Sequence, residues 1–262
     1  MRSGPASTSM IDVTQRFTGR AAGYNQFRER YDPGIVLPRL RQWCGLTPAW
    51  TIADIGAGTG MLADVFLANG NRVLAVEPNP DMRAACLALH AGDEKLHVVS
   101  GRAEASTLPP QSVDLISMGR AFHWFDVDRA MVEFCRILRP EGWIASVTTG
   151  REPEGSAANL AVEALLRSFS GSQAGHEAVH AKYARLRAFL PRDYREEQID
   201  GAMQLTESDL FGLLCSLSHA PLPGDSRFPD FENRTSELFA QHAAGGRITL
   251  VTRCWINAGR LP

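Results

Sequence analysis

The sequence has little that would tie it to a membrane, to nucleic acid or to an oxidising compartment. No apolar stretch approaches the roughly 18 residues that a membrane helix needs. Met1 to Met10 is small and polar and carries no charged-then-apolar leader, so no membrane partner and a cytosolic (cytoplasmic) location are expected. An excess of one charge is also missing. The 27 Lys and Arg against 29 Asp and Glu leave a formal charge of -2 over 262 residues, with no basic run, which argues against nucleic acid as a partner. Cysteine is sparse and odd in number. Cys44, Cys86, Cys135, Cys215 and Cys254 are widely spaced among apolar neighbours, which fits neither a disulfide framework nor a zinc ribbon and predicts reduced core thiols. Apolar residues are not scarce: a 44% hydrophobic content is enough for a sizeable core.

The most informative stretch runs from Thr51 to Leu62. Thr51 to Ile55 is rich in β-branched residues and bounded by turn residues, as a buried parallel strand would be. Met61, Leu62, Val65 and Phe66 then recur at helical spacing up to Gly70. Between them stand Gly56, Gly58 and Gly60. Glycine permits positive φ and leaves no Cβ between backbone and ligand, so amides at the helix start can face a polar group. A structural strand-to-helix turn explains the same glycines until Glu77 is considered. It ends a second apolar run, Val73 to Val76, and in a doubly wound sheet an acid there points into the crevice above the first turn, where it can accept both hydroxyls of a ribose. Nicotinamide and adenosylmethionine cofactors both fit. Dinucleotide folds favour G-x-G-x-x-G, whereas Gly56-x-Gly58-x-Gly60 after Asp54 favours the second.

Asp54-Ile55-Gly56-Ala57-Gly58-Thr59-Gly60 followed by Val76-Glu77-Pro78-Asn79-Pro80-Asp81-Met82 resembles the class I S-adenosylmethionine-dependent methyltransferases. Gly101-Arg102-Ala103-Glu104, Val113-Asp114-Leu115-Ile116, Ala121 to Asp126 and Leu138 to Trp143 follow in the order that family shows. The likeness covers about 14 to 149 and leans towards the ubiquinone-biosynthesis and trans-aconitate branch. It implies an α/β fold, a doubly wound, seven-stranded, mostly parallel Rossmann-like sheet, to which the helix-forming composition after Gly150 adds a helical cap inserted after the fifth strand. It implies S-adenosyl-L-methionine as cofactor, held by Asp54, Gly56, Ala57, Gly58, Gly60, Glu77 and Pro78. Met82 would lie against the adenine, or else only pack in the core; Ala103 and Glu104 would hold the adenine edge, and Gly119, at the carboxyl edge of the fourth strand, belongs to the same cofactor-binding set. Many relatives carry an acid where this chain has Arg102. Tyr24 and Arg28 belong to an N-terminal segment that in the family closes over the methionine end; an exposed amphipathic arm is the plainer reading.

Four units are expected: an arm and lid over 1–32, a cofactor-binding core over 33–149, a mostly helical cap over 150–246 with a sixth strand, and a last core strand over 247–262. Asp32-Pro33 and Gly45 bound the first helix, with Ile35, Val36, Leu40, Trp43 and Cys44 inward. Asn79-Pro80 starts another with Met82, Cys86 and Leu89 inward, before a strand at about 96 to 99. The fourth strand, 113 to 118, delivers Arg120 and His123 to the edge where acceptor meets cofactor. Asp126 or Asp128 caps the next helix, with Met131, Phe134, Ile137 and Leu138 inward, and a fifth strand spans 143 to 148. Helical patterns then recur at about 156 to 169, 176 to 190, 207 to 219 and 229 to 243. Gln198 to Met203 and Ile248 to Ile256 are the candidate sixth and seventh strands.

Arg120 and His123 are the catalytic candidates. Arg120 would orient an acceptor carboxylate, or else pair with an acid of the cap or the arm; His123 would remove a proton, or else only shape the pocket. The acceptor is expected to be a small molecule. His176-Glu177-Ala178-Val179-His180 matches the H-E-x-x-H zinc pattern, but no third ligand follows, and no bound metal is expected. A cofactor-binding protein without methyl transfer is the alternative, and a zinc hydrolase the remote one. Nothing in the pattern sets an oligomeric state.

Overall fold

The computed structural model describes residues 27–170, 183, 185–217, 220–221 and 223–262. Asp32 caps the first helix, α1 (Pro33–Cys44), by accepting from the Gly34 amide at 2.7 Å, and Gly45 stops it in the left-handed region at φ 73°. The α/β alternation follows: β1 (Thr51–Ile55), α2 (Ala63–Ala68), β2 (Arg72–Val76), α3 (Pro80–Leu89), β3 (Leu96–Val99), β4 (Val113–Gly119), a single 3-10 turn (Phe122–Trp124), α4 (Val127–Ile137) and β5 (Leu138–Arg151). Asn79 caps α3 and Asp126 caps α4, each through its side-chain oxygen, which decides between Asp126 and Asp128. The second half contains α5 (Ala157–Ser170), the short α6 (Leu186–Phe189), β6 (Arg192–Leu205), α7 (Glu207–Cys215), α8 (Phe228–His242) and β7 (Ile248–Arg260).

The seven strands form one sheet in the order β3-β2-β1-β4-β5-β7-β6. β1 to β5 run parallel, and β7 runs antiparallel to both β5 and β6. Strand order reverses between β1 and β4, and in open α/β sheets ligands bind at the carboxyl ends beside such a reversal. One apolar cluster packs α1 and α2 on one face, around Leu40, Phe66 and Leu115; another packs α4 on the other, around Phe122, Phe134 and Ile116. A third joins α5, α7 and α8 to Leu205, Ile248 and Leu250. These strand residues lie past the last β5–β7 pair, Arg151 with Thr252, so the helices sit on a β6–β7 ribbon that outruns β5 at its carboxyl end.

Several expectations need correcting. β6 starts six residues earlier than expected and β7 continues to Arg260. The added part of β6, Arg192 to Glu197, is mostly charged and exposed, as suits an edge strand that pairs through its backbone. β5 also starts early, at Leu138, with the register shifted before Trp143 where Pro140 to Gly142 intervene. Leu89 points outward and is half exposed, because Met82 and Cys86 set a four-residue step whose next member is His90. Leu37 joins the buried face of α1, while Ile35 and Trp43 pack only at its margin. Cys135 is exposed and Cys215 half-buried, so only Cys44, Cys86 and Cys254 are core thiols. α7 ends at Cys215 rather than 219. Residues 1–26 lie outside the described residues. So do 171–182, which hold His176, Glu177 and His180 and most of the helical pattern placed at 176 to 190. Among the described residues no helix is long and apolar enough to cross a membrane.

Candidate functional site

The turn after β1 is built by its glycines. Gly56, Gly58 and Gly60 all have positive φ, at 71°, 59° and 90°, values that other residues adopt only with strain. The Gly56 and Ala57 amides donate to Val76 O at 2.8 and 3.2 Å, which fastens the turn to the end of β2. A Cβ on Gly58 would meet nothing within 4 Å, so this position opens on empty space. Gly60 differs. A Cβ there would come within 2.6 Å of the His90 ring and 3.0 Å of Cys86 Sγ, so its role is packing against α3, and it lines neither cavity described below.

That space is a cleft of about 120 Å³ at the carboxyl edge. Gly56, Gly58, Glu77, Pro78 and Met82 form one side; Ala103, Glu104, Gly119 and Arg120 continue it, with Arg102, Ala121, Trp124 and Phe125 completing the wall. Glu77, mostly buried, ties two turns together. Its Oε2 accepts from the Gly58 amide at 2.9 Å and its Oε1 from the Asn79 amide at 2.8 Å. Burial pushes its pKa up, while the two amides and Arg83 oppose the shift. The 101–106 loop is held from behind by α4: Glu133 Oε1 accepts from the Ser106 amide at 2.8 Å and from its hydroxyl at 2.5 Å. Arg136, bonded to the same carboxylate, holds Glu133 down at about 2. Glu104 Oε1 accepts from the Asp126 amide at 2.8 Å, which fixes an acid on the cleft wall beside Arg102.

A smaller cavity of about 30 Å³ adjoins the cleft, bounded by Tyr31, Asp54, Gly56, Ala57, Gly58, Met61, Leu62, Gly119 and Arg120. Asp54, 1% exposed, accepts from Ser117 Oγ at 2.9 Å through Oδ1. Burial pushes its pKa up to about 7, with the Ser117 bond opposing and Glu77 adding to the rise.

Arg120 pairs with an acid of the N-terminal segment, the alternative to an acceptor clamp. It sits at φ 52° and turns its guanidinium towards the segment before α1, donating to Glu29 Oε2 at 3.0 Å and Glu29 O at 3.1 Å over the Tyr31 ring. Arg151 approaches the other Glu29 oxygen at 3.6 Å and pairs with Glu163 of α5 at 3.1 Å. Burial alone would raise the Glu29 pKa, but Arg120, Arg151 and Arg28 outweigh it and hold the carboxyl below its usual range. The guanidinium of Arg120 is thus engaged by a protein acid rather than reserved for an acceptor carboxylate. His123 lies against Trp124, with ring centres 4.6 Å apart and planes tilted by 46°, and 6.2 Å from the Tyr183 ring; it lines neither cavity. Arg28 lies beside Glu29 and also lines neither, and Tyr24 lies outside the described residues. Among the described residues no side chain of α5, α7 or α8 lines the cleft. Among those residues no cluster of metal-binding side chains occurs either. Sequence reasoning missed Glu29, Tyr31 and Ser117. Ser117 could have been found from the β1–β4 pairing, which sets it beside Asp54; Glu29 carries no local signal.

Comparison with known proteins bears on this geometry. Residues 53–146 match the methyltransferase domain family. An uncharacterized methyltransferase of Mycobacterium tuberculosis is 32% identical over 144 residues, 55% of this chain and 56% of that protein. A malonyl-[acyl-carrier protein] O-methyltransferase of Methylococcus capsulatus is 37% identical over 106 residues, 39% of this chain and 38% of that protein. The chain thus spans about half the length, or less, of these curated relatives. A solved structure from Anaeromyxobacter dehalogenans, described as a candidate type II methyltransferase, superposes with a TM-score of 0.64 at 26% identity, covering 90% of this chain and 99% of that one. Residues 53–146 are a methyltransferase domain, and the seven-stranded α/β sheet that carries them is the fold this chain shares with the Anaeromyxobacter structure.

Proposed function

We propose that the chain transfers a methyl group from S-adenosyl-L-methionine to a small, largely apolar acceptor. Glu77 carries the cofactor half of this reading. It stands at the carboxyl end of β2 and opens on the cleft beside Gly58. Each of its oxygens takes one amide and keeps one acceptor position, which suits the paired hydroxyls of a ribose. The other residues fit the same group. Met82 and Ala103 offer an apolar slot for a base, with Glu104 and Arg102 at its edge, while Asp54 and the glycine turn face the amino-acid end.

When bound, the cofactor supplies a methyl already activated on a sulfonium, so no covalent protein intermediate is needed. The chain supplies position and water exclusion. Ala121, Trp124 and Phe125 make the outer wall apolar, and Arg120 spends its charge on Glu29, so the acceptor is apolar rather than strongly anionic. His123 lies outside both cavities, so no base is invoked from that turn, and an acceptor hydroxyl acidic enough to ionise in water, a phenol or an enol, suits the site. In this reading 33–149 bind the cofactor, 1–32 close over it and 150–246 govern acceptor entry. Nucleic acids and membranes are not partners.

Calorimetric titration with adenosylmethionine, adenosylhomocysteine and a nicotinamide dinucleotide tests the cofactor; the first two should bind and the third should not. Turnover to adenosylhomocysteine should then appear with small phenols or enols. Binding without turnover on any acceptor would make the chain a cofactor-binding module. The Methylococcus relative makes a carrier-bound acyl group the rival acceptor to include, and turnover on that or on RNA alone would overturn the small-molecule reading.

A further inference from the structure

The smaller cavity holds a carboxyl group whose second oxygen is poorly matched. Asp54 is 1% exposed; Oδ1 accepts from Ser117, while Oδ2 is buried without a well-formed hydrogen bond among the described residues, the Ala63 amide acting on the carboxylate only at poorer geometry. It lines a cavity of about 30 Å³, above the roughly 10–15 Å³ that one water-sized group needs and so enough for one ammonium group.

Among the described residues the charged and titratable groups around it are few. Glu77 at the end of β2 and Asp64 on α2 are both acidic and raise the cost of a second negative charge. Tyr31, from the segment before α1, lines the same cavity. Arg120, after β4, lines it too but directs its guanidinium at Glu29. An ionised carboxylate without a counter-charge is costly to bury, so such a group keeps its proton until a cation arrives. In keeping with this, burial lifts the titration of Asp54 to about 7.

We infer that Asp54 is a proton-exchanging seat for a ligand ammonium: the acid gives up its proton as the α-ammonium of an amino-acid-bearing ligand settles against it. The inference rests on the adenosylmethionine reading above. Carboxylic acid and ammonium become a carboxylate–ammonium pair, one proton leaves to solvent, and no electrons move. Binding of such a ligand therefore strengthens as pH rises towards 7, approaching tenfold per pH unit well below it, and levels off above.

The test is calorimetry of the full chain with adenosylhomocysteine in buffers of different ionisation enthalpy, which counts the protons released. At pH 6 the wild type should release close to one proton per site, and at pH 8.5 close to none. At pH 6, Asp54→Asn should bind without this release. 5′-Methylthioadenosine, which has the nucleoside but no ammonium, should bind the wild type without it too. Should the variant fold poorly, the infrared band of a protonated carboxyl in the wild type gives an independent readout and should vanish when adenosylhomocysteine is added. Adenosylhomocysteine binding at pH 6 with no proton released, equal release from Asp54→Asn, or persistence of the band would overturn the inference alone. No binding at either pH would overturn the cofactor reading and this inference with it.

Discussion

The inner end of the cleft, beside the glycine turn, and its outer end, beside Arg120, are assembled by different means. At the inner end Glu77 receives amides from Gly58 and Asn79, positions 19 and 2 residues away, and the turn hangs on Val76 through backbone bonds. At the outer end Arg120 reaches a partner 91 residues away, and Arg151 links that partner to Glu163 on α5. Short-range backbone bonds tolerate variation in side chains elsewhere. Long-range buried ion pairs do not, since removing one partner strands the charge of the other. The inner end is therefore expected to answer mutation mainly in binding, the outer end mainly in stability.

The largest expected effect is at the inner end. Gly58→Val should abolish measurable binding of adenosylhomocysteine by calorimetry, because a Cβ there projects into the open cleft from a backbone at φ 59°. The fold should survive in part by circular dichroism, and wild-type affinity would place the ligand elsewhere.

Glu29→Ala comes next and should behave oppositely. Its side chain is 5% exposed between two arginines, and breaking a buried pair in this way costs about 3–5 kcal/mol of stability in denaturant unfolding. Affinity for adenosine should change little. If instead stability holds and adenosine affinity collapses, the division between the two ends is wrong.

Glu77→Ala should weaken cofactor binding by about 1.5–3 kcal/mol, roughly 10- to 150-fold, the usual worth of a hydrogen bond to a charged group. Unchanged affinity in a folded variant removes the ribose assignment.

The smallest effect concerns His90, behind the glycine turn. Its bond to Asp64 at 2.7 Å, aided by its contacts with Cys86, raises its pKa to about 10. A histidine raised above its unfolded value near 6.5 contributes stability that is complete below that pH and is lost as pH rises through about 10. Thermal unfolding of wild type should therefore fall more steeply across that window than that of His90→Asn. Parallel curves would show that the pair adds nothing.

This division also explains what could be seen in the sequence. β1 to β4, their helices and the residues from Asp54 to Glu104 follow from local signals: β-branched runs, Asn79-Pro80, Asp126, positive-φ glycines. The packing of Gly60 was not legible because its contact with the His90 ring comes from the far end of α3, and Leu89 was misplaced because one residue of helical phase separates it from His90. That Arg120 could pair with a protein acid was legible, but not which acid, since nothing near Glu29 distinguishes it from Glu94 or Glu154. β6 was only half visible for a related reason: its charged first half looks like a loop until β7 is beside it.

That placement affects how the chain is made. β7 lies between β5 and β6 in the sheet but follows both along the chain, beginning 43 residues after β6 ends. At about 5–20 residues per second, a ribosome would take roughly 2 to 9 seconds to bridge that gap. During this wait β6 is a nascent segment with no neighbour to pair with. Arg195, Glu196, Glu197 and Asp200 then act as gatekeepers, keeping an unpaired strand from joining one on another growing chain.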